Sequence, residues 1–185
     1  MGDIQLAGTF IIGGMVLLTI FGMNVEILET NSLNSLGRMA QENMGEMLSI
    51  IQYDFKKIGN QVPRTSNALI AVSDTTISFL ADIDQNGSID TIAYRVGPAS
   101  ETSSTDNPSD RLLYRSVNGV EYDVGLGITQ WQLSYFNEDM GSTMALDSIR
   151  LIELSLTVET IYGYNEQYGS ASWSTQFAPK NMGVL

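Results

Sequence analysis

The residues best placed to do chemistry lie in one short run, Asp82-Ile83-Asp84-Gln85-Asn86-Gly87-Ser88-Ile89-Asp90. Side-chain oxygens at its first, third, fifth and ninth places, with a glycine at the sixth for a sharp turn, form the pattern a calcium loop requires. Asp82, Asp84 and Asp90 offer carboxylates, Asn86 an amide oxygen, and the backbone carbonyl of Ser88 takes the seventh place. Calcium is the cofactor this spacing points to. The twelfth place holds Ala93 where an EF-hand needs a bidentate glutamate, and the flanks read as strands, so a different calcium loop is expected. Asp106, Asp110 or water would have to complete the shell. A second reading of the same residues is an Asn-Gly hairpin turn joining 77–81 to 89–96, its acids solvated or bonded to turn amides. Asn86-Gly87-Ser88 also fits a glycosylation acceptor, a use that competes with the metal.

Other chemistry is scarce. The 185 residues include no Cys and no His, which removes disulfides, Cys/His zinc sites, thiol nucleophiles and every Ser-His or Cys-His relay. An enzyme is therefore not expected. Lys plus Arg number 9 against 21 Asp plus Glu, a net charge of −12, and no basic field is left to hold a nucleic-acid backbone. The paired acids Glu138-Asp139 read as a solvated loop. Tyr162, Tyr164, Tyr168 and Trp173 read first as packing groups near a strand pair, with an adhesive surface as the alternative.

The element that must carry the loop begins with an apolar rod. From Ile4 to Val25 no charge occurs, and this stretch spans about 33 Å as a helix, the thickness of a bilayer core. Gly8, Gly13, Gly14 and Gly22 interrupt it; such residues cost about 1 kcal/mol each in an isolated helix but let packed apolar helices approach closely. They are the candidate assembly positions, against a plain single-span anchor whose glycines merely tolerate lipid. No linker follows. Leu33, Leu36, Ala40, Met44, Met47, Ile51, Phe55 and Ile58 recur at helical spacing as one stripe, and Gly59 with Lys56 and Lys57 before it supplies a stop. The expected helix runs over about 55 residues, or about 80 Å, with Asn31-Ser32 and Asn34-Ser35 as points where it could break.

Beyond residue 61 the pattern changes to strands, expected at 68–73, 76–81, 91–96, 111–117, 128–136, 148–160 and 172–178. In the sixth of these Leu154, Leu156 and Val158 alternate with Glu153, Ser155, Thr157 and Glu159, which predicts a sheet with one wet face. Residues 97–110, GPASETSSTDNPSD, read as an exposed loop too polar to pack. The expected organisation is an α+β chain: residues 1–29 an apolar transmembrane or assembly helix, 30–60 its amphipathic continuation, and 61–185 a β-rich head on which the stripe packs.

Four places together resemble the type IV pilin-like proteins, nearest to the minor pilin and pseudopilin group. They are the apolar helix continuing as an amphipathic one, IQYDFKKIGNQVP at 51–63, FLADIDQNGSIDTIAYRV at 79–96, and the terminal WSTQFAPKNMGVL with its Lys180-Asn181 pair. Members of that family usually carry a basic leader, then an aromatic or Met, then Glu four residues later. With Met1 as the first residue, Gln5 stands where that Glu would be and Asp3 is the nearest carboxylate. The resemblance implies that Asp3 pairs with a neighbour's terminal ammonium inside an apolar bundle. It further implies a structural subunit that resides in the inner membrane before assembly and self-associates into a helical filament at the cell surface. The alternative is a single-span, calcium-stabilised surface binding domain that never polymerises.

Overall fold

A computed structural model describes residues 2–63, 65–179 and 181–182, with the side chains of 2–6 left aside. Asp3 and Gln5, the candidates for the intersubunit pair, therefore lie outside the described side chains, as does Lys180. The chain is α+β, a long N-terminal helix followed by an antiparallel β head.

The helix α1 runs unbroken over Gly2–Lys57. Asn31-Ser32 does not interrupt it, because the Ser32 hydroxyl folds back onto the Leu28 carbonyl at 2.9 Å and leaves the backbone ladder whole. Its second half follows the expected stripe: Ala40, Met47, Ile51, Phe55 and Ile58 are buried, and Leu33, Leu36 and Met44 half-buried. Gly59 ends it for two reasons. Its φ of +76° suits glycine, and a Cβ there would stand 2.5 Å from the Asn181 carbonyl oxygen.

Among the described residues eight strands make two antiparallel sheets. The first has the order β1-β2-β3-β4-β5, from β1 (Leu69–Val72), β2 (Thr76–Ala81), β3 (Asp90–Val96), β4 (Leu112–Val117) and β5 (Val120–Leu126). The second is the meander β6 (Ile128–Phe136), β7 (Leu151–Glu159) and β8 (Ser170–Phe177). Strand β5 is absent from the sequence expectation. Its signal was Asn118-Gly119, whose φ values of +52° and +83° close a two-residue hairpin between Val117 and Val120, the geometry that Asn-Gly favours.

The core is a three-sided space. Phe55 of α1 meets Phe79 and Tyr94 of the first sheet and Phe177 of the second, at ring separations of 6.0, 5.8 and 5.0 Å. Tyr94 in turn stacks on Trp131 across the two sheets at 6.3 Å. Helix and both sheets thus each close one side, and aromatic faces and edges fill the centre.

Residues 97–110 are exposed at most positions, as their composition suggests, but the segment is packed against the head at a few. Thr102, Asn107 and Asp110 are buried, and the segment includes a short 3-10 turn, Ala99–Thr102. Most of its buried polar groups are bonded: the Thr102 hydroxyl donates to the Asp110 carbonyl at 2.7 Å, Thr105 to Asp110 Oδ1 at 2.9 Å, and the Asn107 amide to Glu159 at 3.0 Å, while Asp110 Oδ2 is buried without a partner. Buried polar side chains are tolerated when bonded in this way.

Candidate functional site

The acidic run connects β2 to β3. Ala81 pairs with Asp90, so the connection is the eight residues 82–89 and not a two-residue Asn-Gly turn. The left-handed positions are Gln85 (φ +65°) and Gly87 (φ +86°). Asp82 and Asp90 are buried, whereas Asp84, Asn86 and Ser88 are exposed. One carboxylate oxygen from each of Asp82, Asp84 and Asp90 falls within 4.8 Å of the others, close enough to face one cation.

The loop amides hold those acids in place. Asp82 accepts the Asn86 amide at 3.1 Å and the Gly87 amide at 3.0 Å through its two oxygens. Asp84 accepts from the Asn86 backbone at 3.1 Å and side chain at 2.8 Å, and the Asn86 oxygen accepts the Ser88 amide at 2.7 Å. Asp90 accepts the Ile83 amide at 3.2 Å and the Asn118 side-chain amide at 2.7 Å. Asn118 is the residue that sequence reasoning missed, and the β4–β5 hairpin delivers it. Asp106 and Asp110, the expected completing acids, follow the far end of β3, about 20 Å along a seven-residue strand. They cannot complete this shell. The loop also touches the helix end, because Lys57 donates to the Ile83 carbonyl at 2.6 Å while its ammonium lies 4.3 Å from the Tyr53 ring centre.

A second polar centre lies inside the core. Asp54 is wholly buried on α1, where its carboxylate accepts the Tyr94 hydroxyl at 2.6 Å and Arg115 Nε at 2.5 Å. Burial raises the Tyr94 hydroxyl far above its ordinary range, and the Asp54 charge and hydrogen bond add to that. Burial pulls Arg115 down, but bonding and charge from Asp54 outweigh it and the guanidinium is held above its usual value. This cluster joins helix to sheet.

The other surface of interest is the first half of α1. Residues 10–28 are exposed almost throughout, with Phe10 74 % and Leu18 73 % accessible. The helix is long and apolar enough to cross a membrane, with a mean hydropathy of 2.0 over its most apolar window, and is a candidate anchor or signal sequence. Gly8, Gly13, Gly14 and Gly22 each face open space in the single chain, where a Cβ would meet nothing within 4 Å. At the tyrosine-rich end Trp173 packs against the core, Tyr168 donates to the Asp106 carbonyl at 2.7 Å, and Tyr162 is exposed.

No known family model matches the chain, and no curated protein matches it in sequence.

Proposed function

We propose that the chain is a structural, non-catalytic subunit of a type IV pilus-like or pseudopilus-like extracellular filament. It polymerises through the apolar half of α1, which waits in the inner membrane until assembly. One observation carries this reading: the head closes its own core with the second half of the helix, while residues 10–28 of the first half are exposed throughout and present large apolar side chains all round. Such a rod requires lipid or other copies of itself. Extraction from the bilayer costs no backbone hydrogen bonds, since an α-helix satisfies them internally, and small residues let neighbouring helices approach closely.

The test is Gly13→Leu combined with Gly14→Leu. Because neither position meets anything in the single chain, the variant subunit should fold and melt like the wild type. Sheared filaments, counted by electron microscopy, should nevertheless disappear. Filaments in wild-type numbers would refute close packing at these glycines.

A second reading keeps calcium at the acidic loop but not the filament: a membrane-anchored surface binding domain that is stabilised by calcium and does not polymerise. Three carboxylates within 4.8 Å support calcium there, with the amide of Asn86 beside them. Calcium at this loop would tie β2, β3 and the β4–β5 hairpin together, and is compatible with either reading.

A further inference from the structure

We infer that Glu26 and Glu29 of one copy pair with Arg38 of a second copy, whose helix lies parallel and is displaced by nine to twelve residues; this rests on the filament reading above. The two ion pairs among the described residues, Arg95–Glu121 and Arg115–Asp54, leave all three of these charges unmatched in their own chain. Glu42, one turn along from Arg38, makes no ion pair with it. Glu26 and Arg38 are exposed and Glu29 is half-buried. These three are the only charges from Ile4 to Arg38, so they stand at the rim of the apolar rod, where a copy packed on it must meet them.

Their directions are opposite. At about 100° per residue, Glu26 and Glu29 each fall within about 30° of the line along which Ala40, Met47, Ile51 and Phe55 face the head. Arg38 falls about 150° from that line, on the bare back of the helix. The acids are thus on the head's side of the rod, but N-terminal to Leu36, against which Gly169 of the head lies. A two-fold contact buries the same patch on both copies, and charges on opposite sides of a helix cannot meet within it. They meet only head to tail, each copy offering its acids to one neighbour and Arg38 to another. The offset of about 14–18 Å along the axis keeps the series from closing into a ring, and the product is an open helical array. With heads outside, the back of each helix faces the axis, so Arg38 of the lower copy points inward at the outward-facing acids of the copy above.

Charge and apolar overlap select this displacement. Offsets of thirteen to twenty residues set the acids against Glu42 and Glu46 of the neighbour, a like-charge arrangement. Lys56 is also exposed, without an ion pair, on the same back face, but reaching it needs twenty-seven to thirty residues. That offset lays the apolar residues 10–28 on the polar back formed by Gln41, Glu42, Ser49 and Gln52. Nine to twelve residues instead keep 7–16 of one copy beside 16–28 of the next, apolar against apolar. An ion pair at the rim of such a contact fixes register more than it adds stability.

The experiment reverses the charges in the full chain: Arg38→Glu, Glu26→Arg with Glu29→Arg, all three together, and Lys56→Glu as control. Amounts in the membrane fraction and thermal melts establish that each variant inserts and folds. Arg38→Glu and the double glutamate reversal should each yield at least about tenfold fewer pelletable filaments per inserted subunit, and the triple reversal should regain most of the loss. Lys56→Glu should assemble normally. A second measurement does not depend on charge. The chain has no cysteine of its own, and positions 29 and 38 lie about 14 Å apart in one helix, beyond the about 7 Å that a disulfide spans. Oxidised Glu29→Cys with Arg38→Cys should therefore give ladders of linked subunits, and Glu29→Cys with Lys56→Cys should not. Wild-type yield from Arg38→Glu, a loss that the triple reversal does not repair, or ladders from the Lys56 pair alone overturns this register while leaving the filament reading intact. A wild-type chain that forms no filaments overturns both.

Discussion

Replacing Asp54 by Asn removes the anion that ties the helix to the first sheet. Asp54 is wholly buried, and the Arg115 side chain retains 19 % of its accessibility, so the two partners respond differently to losing each other. Removing one member of a buried pair costs about 3–5 kcal/mol because a charge is left unpaired. In Asp54→Asn the stranded charge is Arg115, which can swing partly into water, and we expect a loss of about 2–3 kcal/mol. In Arg115→Met the stranded charge is the inaccessible carboxylate, and the full 3–5 kcal/mol range applies, about. The combined variant should cost less than the sum, with a coupling energy above about 1 kcal/mol. The assay is urea unfolding of the full chain in mild detergent, followed by the fluorescence of its two tryptophans, of which Trp131 stacks on Tyr94 beside the pair. Losses below about 1 kcal/mol for both single variants, the range of surface ion pairs, would refute the claim that this cluster fixes the helix on the sheet.

Three further outcomes follow from the same structure. Tyr94 and Tyr135 both hold their protons more tightly folded than unfolded, chiefly through burial, so the stability they contribute is complete below about pH 10 and declines as pH rises above it. Alkaline unfolding curves should be shallower for Tyr94→Phe, and an unchanged slope would contradict the assignment. Gly59→Ala should lower the melting temperature, through a strained left-handed residue costing about 1 kcal/mol or more and a clash with the Asn181 carbonyl; an unshifted melt would show that the helix stop needs no glycine. Calcium at about one hundred times its dissociation constant should stabilise the chain by about 2.7 kcal/mol, seen as a raised melting temperature that Asp82→Asn with Asp90→Asn abolishes. A transition that calcium leaves unmoved rules out the metal reading of the loop.

The helix was the most legible element, since a single apolar stripe from Leu33 to Ile58 specifies both its period and the face it buries. Strands β2 and β6 occupy 76–81 and 128–136 as their alternation indicates. Strand β5 escaped because Glu121 and Asp123 dilute its apolar pattern and its first half is exposed, leaving Asn118-Gly119 as the informative signal. In 97–110 the exposure of most residues was legible, but composition cannot tell solvated polar groups from those that bond within the protein, as Thr102, Asn107 and Asp110 do. In the acidic loop the carboxylates were legible from spacing, but Asn118 was not, since it reaches Asp90 from 28 residues away. Asp54 meets Tyr94 and Arg115 across 40 and 61 residues, a distance over which local periodicity carries no information.

The exposed apolar rod is the centre of this account, and native material imaged directly tests it most simply. Surface-sheared and membrane fractions of cells producing the chain should contain filaments whose cores are bundled α1 helices, with β heads outside. Single molecules confined to the bilayer in every fraction and at every growth stage would contradict it.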